Sequence, residues 1–134
     1  MPDFYIEKKI YYHDTDCGGV VYYANYLKYM EEARAEYFTS KGVDLKDLFD
    51  EGIMFVVAKV EVDYKAPARY HDTIKVFAKV EKIRISAIQF AQEVSRGSVT
   101  LVTAKTILVC IGKDFKPVSV PNRVKERLLS GGSE

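Results

Sequence analysis

"HDTDCGGVVYYANYLKYMEEARAEYFTSKG", residues 13–42, changes character halfway along. It opens with acids and two glycines, then turns to apolar side chains repeating with the period of a helix. From about Val20, the residues Tyr23, Tyr26, Leu27, Met30, Ala33 and Tyr37 recur at helical spacing. Lys28, Glu31, Glu32 and Arg34 fall elsewhere on the wheel, and Gly42 supplies a stop. A helix starting near Val20 to Tyr23 and ending there would run about five turns, or roughly 30 Å.

Working outward, almost everything else reads as strand. "FYIEKKIYY" ahead of the helix is rich in β-favouring side chains. In "IMFVVAKVEVDY" the even positions from Met54 to Tyr64 are mostly apolar while Lys59, Glu61 and Asp63 face the other way, which predicts one covered face. "DTIKVFAKVEKI" repeats the alternation, and "SAIQFAQEV" follows at once, so residues 84–86 read as a tight hairpin. "GSVTLVTAKTILVCIG" is the longest strand and apolar on both faces, which suits a central strand or one covered by another subunit. "PNRVKERLLS" reads as a short closing helix. One helix covers one face of a five-stranded antiparallel sheet, so the other face and any open edge call for a partner copy.

The bulk numbers exclude several classes. A chain of 134 residues is expected to form one domain over 1–134. A net charge of +1 gives no electrostatic footprint for nucleic acid. Two cysteines, Cys17 and Cys110, make no disulfide framework and fit a reduced, cytoplasmic setting. The first residues are charged throughout, unlike a signal peptide, and no apolar run is long enough to enter a membrane.

The acids ahead of the helix raise the question of chemistry. Amides at a helix start lack intrahelical partners and carry partial positive charge. Gly18 and Gly19 would let a substrate approach that backbone closely. Such amides can stabilise an oxyanion while Asp16, on the loop, acts as general base or nucleophile. Asp14 and Asp16 are equally suited to plain capping and turn-making. His13 with both acids could hold a metal, but no second ligand cluster exists beyond His71 and Asp72, so no metal and no cofactor is expected. Cys17 has no evident base, and no G-x-S-x-G occurs to support a serine esterase.

Residues 11–34, "YYHDTDCGGVVYYANYLKYMEEAR", resemble the signature of the 4-hydroxybenzoyl-CoA thioesterase family, and in particular its short acyl-CoA thioesterases of the Tol–Pal-associated type. The family pattern D-x-D-x-x-G-x-V-x-[YFH]-x-x-Y is matched at Asp14, Asp16, Gly19, Val21, Tyr23 and Tyr26. "YKAPARYHDTIKV", residues 64–76, resembles the family's second recurrent segment.

That resemblance implies an α+β hotdog fold, with the five-stranded antiparallel sheet wrapped around one long central helix. It implies acyl-CoA thioester hydrolysis, with Asp16 as the catalytic carboxylate and the N–H groups around Gly19 to Tyr23 on the thioester oxygen. It further implies a substrate-side role for Tyr12 and places Lys82 and Arg84 near CoA phosphates. Envelope-linked relatives carry histidine where this chain has Tyr23. The implied assembly is a homodimer joined edge to edge and paired again into a homotetramer. Two other readings stay open: an acyl-thioester-binding protein without turnover, and a hydratase or dehydratase of the same fold.

Overall fold

The computed structural model describes residues 4–130. Five strands, β1 (Tyr5–Lys9), β2 (Met54–Tyr64), β3 (Thr73–Ile83), β4 (Ala87–Arg96) and β5 (Val99–Ile111), form one sheet. Its order is β1-β3-β4-β5-β2, and every pairing is antiparallel. The long helix α1 (Asn25–Ser40) lies against β1 and β3. A short α2 (Leu45–Asp50) and a C-terminal α3 (Asn122–Leu129) complete the fold. This is the hotdog arrangement, a sheet wrapped on one central helix.

A helix of 16 residues is marginal alone in water, so packing must hold α1. Its inner face buries Tyr26, Tyr29, Met30, Ala33, Tyr37 and Phe38. They meet the alternating inward side chains Ile74, Val76 and Ala78 of β3 and Ile88, Phe90 and Val94 of β4. Fully burying a large apolar side chain contributes about 1.5–3 kcal/mol, so several together outweigh the weak local propensity. Phe90 sits edge-on to both Tyr37 and Phe38, with ring centroids 5.5 and 5.6 Å apart.

The hairpin at residues 84–86 forms as expected, closed by the Arg84 N–H on the Ala87 carbonyl. β5 lies inside the sheet between β4 and β2, which explains its apolar character on both faces. The closing helix is also where the pattern put it.

Four expectations change. The helix starts at Asn25, not near Val20 to Tyr23, because Val20 and Val21 are extended and bridge to Arg69 and Thr15. Two adjacent β-branched residues gain partners that way which a helix could not give them. The segment after Gly42 holds α2, whose N-cap Asp44 accepts from the amides of Lys46 and Asp47 at 2.9 and 3.2 Å. In β2 the pairing shifts between Val57 and Lys59, a bulge that breaks the simple alternation. β2 is also an edge, so Val56, Ala58 and Val60 are exposed, and Val57 is 51% exposed. Arg34, expected on the polar side of the wheel, is buried.

Candidate active site

Thr15 to Tyr22 form a tight loop between a 3-10 turn at Tyr12–Asp14 and α1. The Asp16 N–H donates to the Val20 carbonyl at 2.9 Å, and the Gly19 N–H donates to the Asp16 carbonyl at 3.1 Å. Gly19 takes a φ of +78°, a left-handed conformation open to glycine. Gly18 approaches the Asp16 carboxylate, where a Cβ would stand 3.3 Å from Oδ1. Asp16 itself is exposed. Its Oδ1 accepts the Gly18 N–H at 2.8 Å, an Asx turn, whereas Oδ2 bonds to nothing among the described residues.

This loop is docked to residues 67–72. The Val21 N–H donates to the Ala68 carbonyl at 2.9 Å, and the Tyr70 N–H donates to the Gly19 carbonyl at 3.2 Å. The Ala68 N–H donates to the Tyr26 hydroxyl at 2.8 Å, in the buried first turn of α1. Arg96, at the end of β4, fixes the same segment by donating to the Pro67 carbonyl at 3.1 Å and Asp72 Oδ2 at 2.9 Å. Tyr64, the last residue of β2, donates its hydroxyl to the Tyr23 carbonyl at 3.2 Å.

The amides around the helix start divide into three groups. Those of Gly19, Val21 and Tyr22 are committed to the carbonyls of Asp16, Ala68 and Asp14. Those of Asn25, Tyr26 and Leu27 close a tight first turn on carbonyls three residues back. The amides of Val20, Tyr23 and Ala24 donate no hydrogen bond among the described residues. Ala24 is the N-cap and has no side chain to cap with. Short α2 is capped by a carboxylate, while the long central helix leaves amides open seven and eight residues after Asp16, at the end of the same loop region. Gly19 therefore contributes through its backbone shape, because its own N–H is occupied.

The neighbouring side chains take different parts. Asp14 is buried, and its Oδ2 accepts the Tyr11 N–H at 2.9 Å. Tyr29 is buried beside it, close enough for the Asp14 carboxylate to act on its hydroxyl, though the two do not form a well-aligned hydrogen bond. Burial, and then the Asp14 carboxylate, push that phenol above its usual range, so it stays neutral. Tyr12 is 72% exposed and meets Tyr70 edge-on at 5.7 Å. Tyr23 is exposed and meets Tyr64 edge-on at 6.0 Å. Among the described residues no group of three or more His, Cys, Asp or Glu gathers as a metal site.

Asp16 and Gly19 thus share one loop, with Tyr12 on the turn that leads into it and Tyr23 just past its end. Lys82 and Arg84 do not join them. Lys82 lies near the far end of β3 and Arg84 just past it, about 30 Å by strand rise from Thr73, where β3 leaves the docking segment. Sequence reading passed over Ala68, Asp72, Arg96 and Tyr64 as parts of the frame. The second recurrent segment contains three of these, but nothing local announces that Arg96 reaches back to it.

Tyr26→Phe should keep the ring and delete the acceptor of the Ala68 N–H. An orphaned buried amide costs about 1–3 kcal/mol, so urea unfolding should show a loss of that size. An unchanged midpoint would mean that the hydroxyl does not hold the loop.

Comparison with known proteins places the fold and the family. The family model described as the thioesterase-like superfamily matches residues 11–128. An acyl-CoA thioesterase, YbgC, of Haemophilus influenzae is 38% identical over 120 residues, covering 87% of this chain and 88% of that protein. The crystal structure of a hypothetical protein from Aquifex aeolicus superposes with a TM-score of 0.88 at 29% identity, covering 94% of this chain and 99% of that one. A 1,4-dihydroxy-2-naphthoyl-CoA thioesterase from Synechocystis superposes with a TM-score of 0.86 at 25% identity, over 93% and 94% of the two chains. With the family model spanning nearly the whole chain, the chain belongs to the thioesterase-like superfamily.

Proposed function

We propose that this protein hydrolyses acyl-CoA thioesters to the carboxylic acid and coenzyme A, using Asp16 and the open amides of Tyr23 and Ala24. The observation that carries the reading is the uncapped start of α1, reached from a loop that carries a carboxylate with one oxygen not hydrogen-bonded among the described residues. The thioester carbonyl oxygen accepts from the two amides, which gain strength as charge develops on it. Asp16 either takes a proton from an attacking water or attacks the carbonyl carbon itself. The tetrahedral intermediate then collapses, the C–S bond breaks, and CoA leaves as thiolate to be protonated. On the nucleophilic route this leaves an acyl–Asp16 anhydride, which a water hydrolyses to the free acid and the regenerated carboxylate. A cytoplasmic location follows from the substrate, since acyl-CoA thioesters form there. Family membership and the acyl-CoA thioesterase relative support the substrate class.

The reading includes a homodimer joined through β2, paired again into a tetramer. Val56, Val57 and Val60 on this edge strand expose apolar surface that a second copy would cover. Lys82 and Arg84 would then serve a CoA bound at another subunit's loop, since they stand a strand's length from their own.

Asp16→Asn should fold normally and lose about 10²–10⁴ in kcat, the share that positioned acid–base catalysis supplies. Free-thiol release from an acyl-CoA measures it; turnover close to the unmodified enzyme would leave Asp16 as a turn residue only. Tyr23→Pro deletes one open amide and should cost about 10²–10³ in kcat, while Tyr23→Phe keeps the amide and most activity. Equal damage in both variants would transfer the role to the phenol. Light scattering at micromolar concentration should report a dimer or larger, and an active monomer would defeat the shared-edge arrangement.

A further inference from the structure

The loop that carries Asp16 is a small hairpin. The Tyr22 N–H donates to the Asp14 carbonyl at 3.1 Å, and the Asp16 N–H donates to the Val20 carbonyl at 2.9 Å. Thr15 and Val21 bridge between those two bonds. Asp16 therefore stands one rung above the base of the hairpin, which is the bond between Tyr22 and Asp14. Tyr23 and Ala24, whose amides are open, follow directly from that base.

Asn25, the half-buried first residue of α1, closes a path around them. Its N–H donates to the Tyr22 carbonyl at 2.9 Å, and its side-chain Nδ2 donates to the Asp14 carbonyl at 3.0 Å. Only the nitrogen end of an amide can bond to a carbonyl, which fixes the side chain's orientation. Three hydrogen bonds thus join Asp14, Tyr22 and Asn25 in a ring, and Tyr23 and Ala24 lie on the short stretch of chain that it encloses. The Asp14 carbonyl has two lone pairs, and it gives one to the hairpin and the other to the helix. Asparagine is among the best N-caps, yet this one sits a position too late and reaches a carbonyl eleven residues back. The helix gains no capped amide from that contact. Ala68 also joins loop to helix, but through Val21 and Tyr26, whereas Asn25 links the base of the hairpin to α1 directly. The ring lies within one chain and does not depend on a second copy covering β2.

We propose that Asn25 is a positioning residue for the hydrolysis: its side-chain amide holds the Asp16 hairpin in register with the open amides of Tyr23 and Ala24, so that carboxylate and oxyanion donors meet one thioester carbonyl together. The inference rests on the thioester-hydrolase reading above. Asn25 acts through the Asp14 carbonyl and not on a reacting atom. Without its Nδ2 the ring is open, and the hairpin can pivot about Tyr22 relative to the helix start. A misplacement of about 1 Å can cost about 10²-fold in rate. Binding of the ground state does not require the two parts to be aligned, so the loss falls on kcat and not on KM.

The test is a double-mutant cycle read on one acyl-CoA by free-thiol release. Asn25→Ala should lose about ten- to a hundredfold in kcat, with KM changed by about twofold or less. Added to Asp16→Asn, the same change should cost about threefold or less, because no carboxylate remains to be held in register. A merely structural loss would cost the same factor in both backgrounds, and that additivity overturns the proposal. Unchanged kcat in Asn25→Ala overturns it too, as does a loss confined to KM. If Asn25→Ala is not recovered folded, Asn25→Asp decides by the same cycle. It keeps the shape, an acid is favoured in the first turn of a helix, and a carboxylate cannot donate to the Asp14 carbonyl. Its added charge acts on the amides in either background, whereas lost register shows only where Asp16 is present. Activity lost in Asp16→Asn but untouched in Asn25→Ala would defeat this role and leave the hydrolase standing. No turnover of any thioester by the unmodified protein would remove the hydrolase reading, and this one with it.

Discussion

Ala68 is bonded through both ends of its own residue: its carbonyl accepts from the Val21 N–H, and its N–H donates to the Tyr26 hydroxyl. It is fully buried. One small residue therefore ties the acidic loop to the first turn of the central helix. The rest of the site depends on that junction, because it decides where the loop stops and where α1 begins. Arg96 and Asp72 brace the segment from the sheet, and the Tyr64 hydroxyl holds the Tyr23 carbonyl just ahead of the helix. The loop's own bonds are short-range and would form in many settings. Its position against the helix is set by the longer-range contacts.

That division explains what the sequence made legible. Periodicity found α1 because Tyr26, Met30, Ala33 and Tyr37 face one way, and it found β3 and β4 by the same logic at period two. It overran the helix start because Val20 and Val21 are apolar and fit the stripe, while their bridges to Arg69 and Thr15 are tertiary facts. It put Arg34 on the polar side because nothing nearby in sequence says that Gln92 waits beneath it. The bulge after Val57 is likewise invisible, since it depends on the register of β5. Asp16 stood out by its place ahead of two glycines. The residues chosen from the motif fell on one loop, but which amides are open became clear when each carbonyl partner could be named.

The core and the site also differ in what they ask of side chains. Across the sheet the demand is volume and apolarity, with Phe90, Phe38 and Tyr37 interlocked edge to face. Around the loop the demand is hydrogen-bond bookkeeping, met mostly by main-chain groups. Gln92 stands between the two regimes as a polar residue at a core position, holding the Met30 carbonyl on one side and Arg34 on the other.

An N-cap without a capping side chain separates what evolution can change from what it cannot. The open amides at Tyr23 and Ala24 belong to the backbone, so substitution there, short of proline, leaves them in place. Side chains at these positions are free to drift and reshape the mouth of the site without disturbing the donors beneath. Such a scaffold can change the side chains around its helix start by single steps, since the open donors there are not written in any one side chain. The positions with little room to drift are those that hold the frame still, Ala68 and Tyr26 above all.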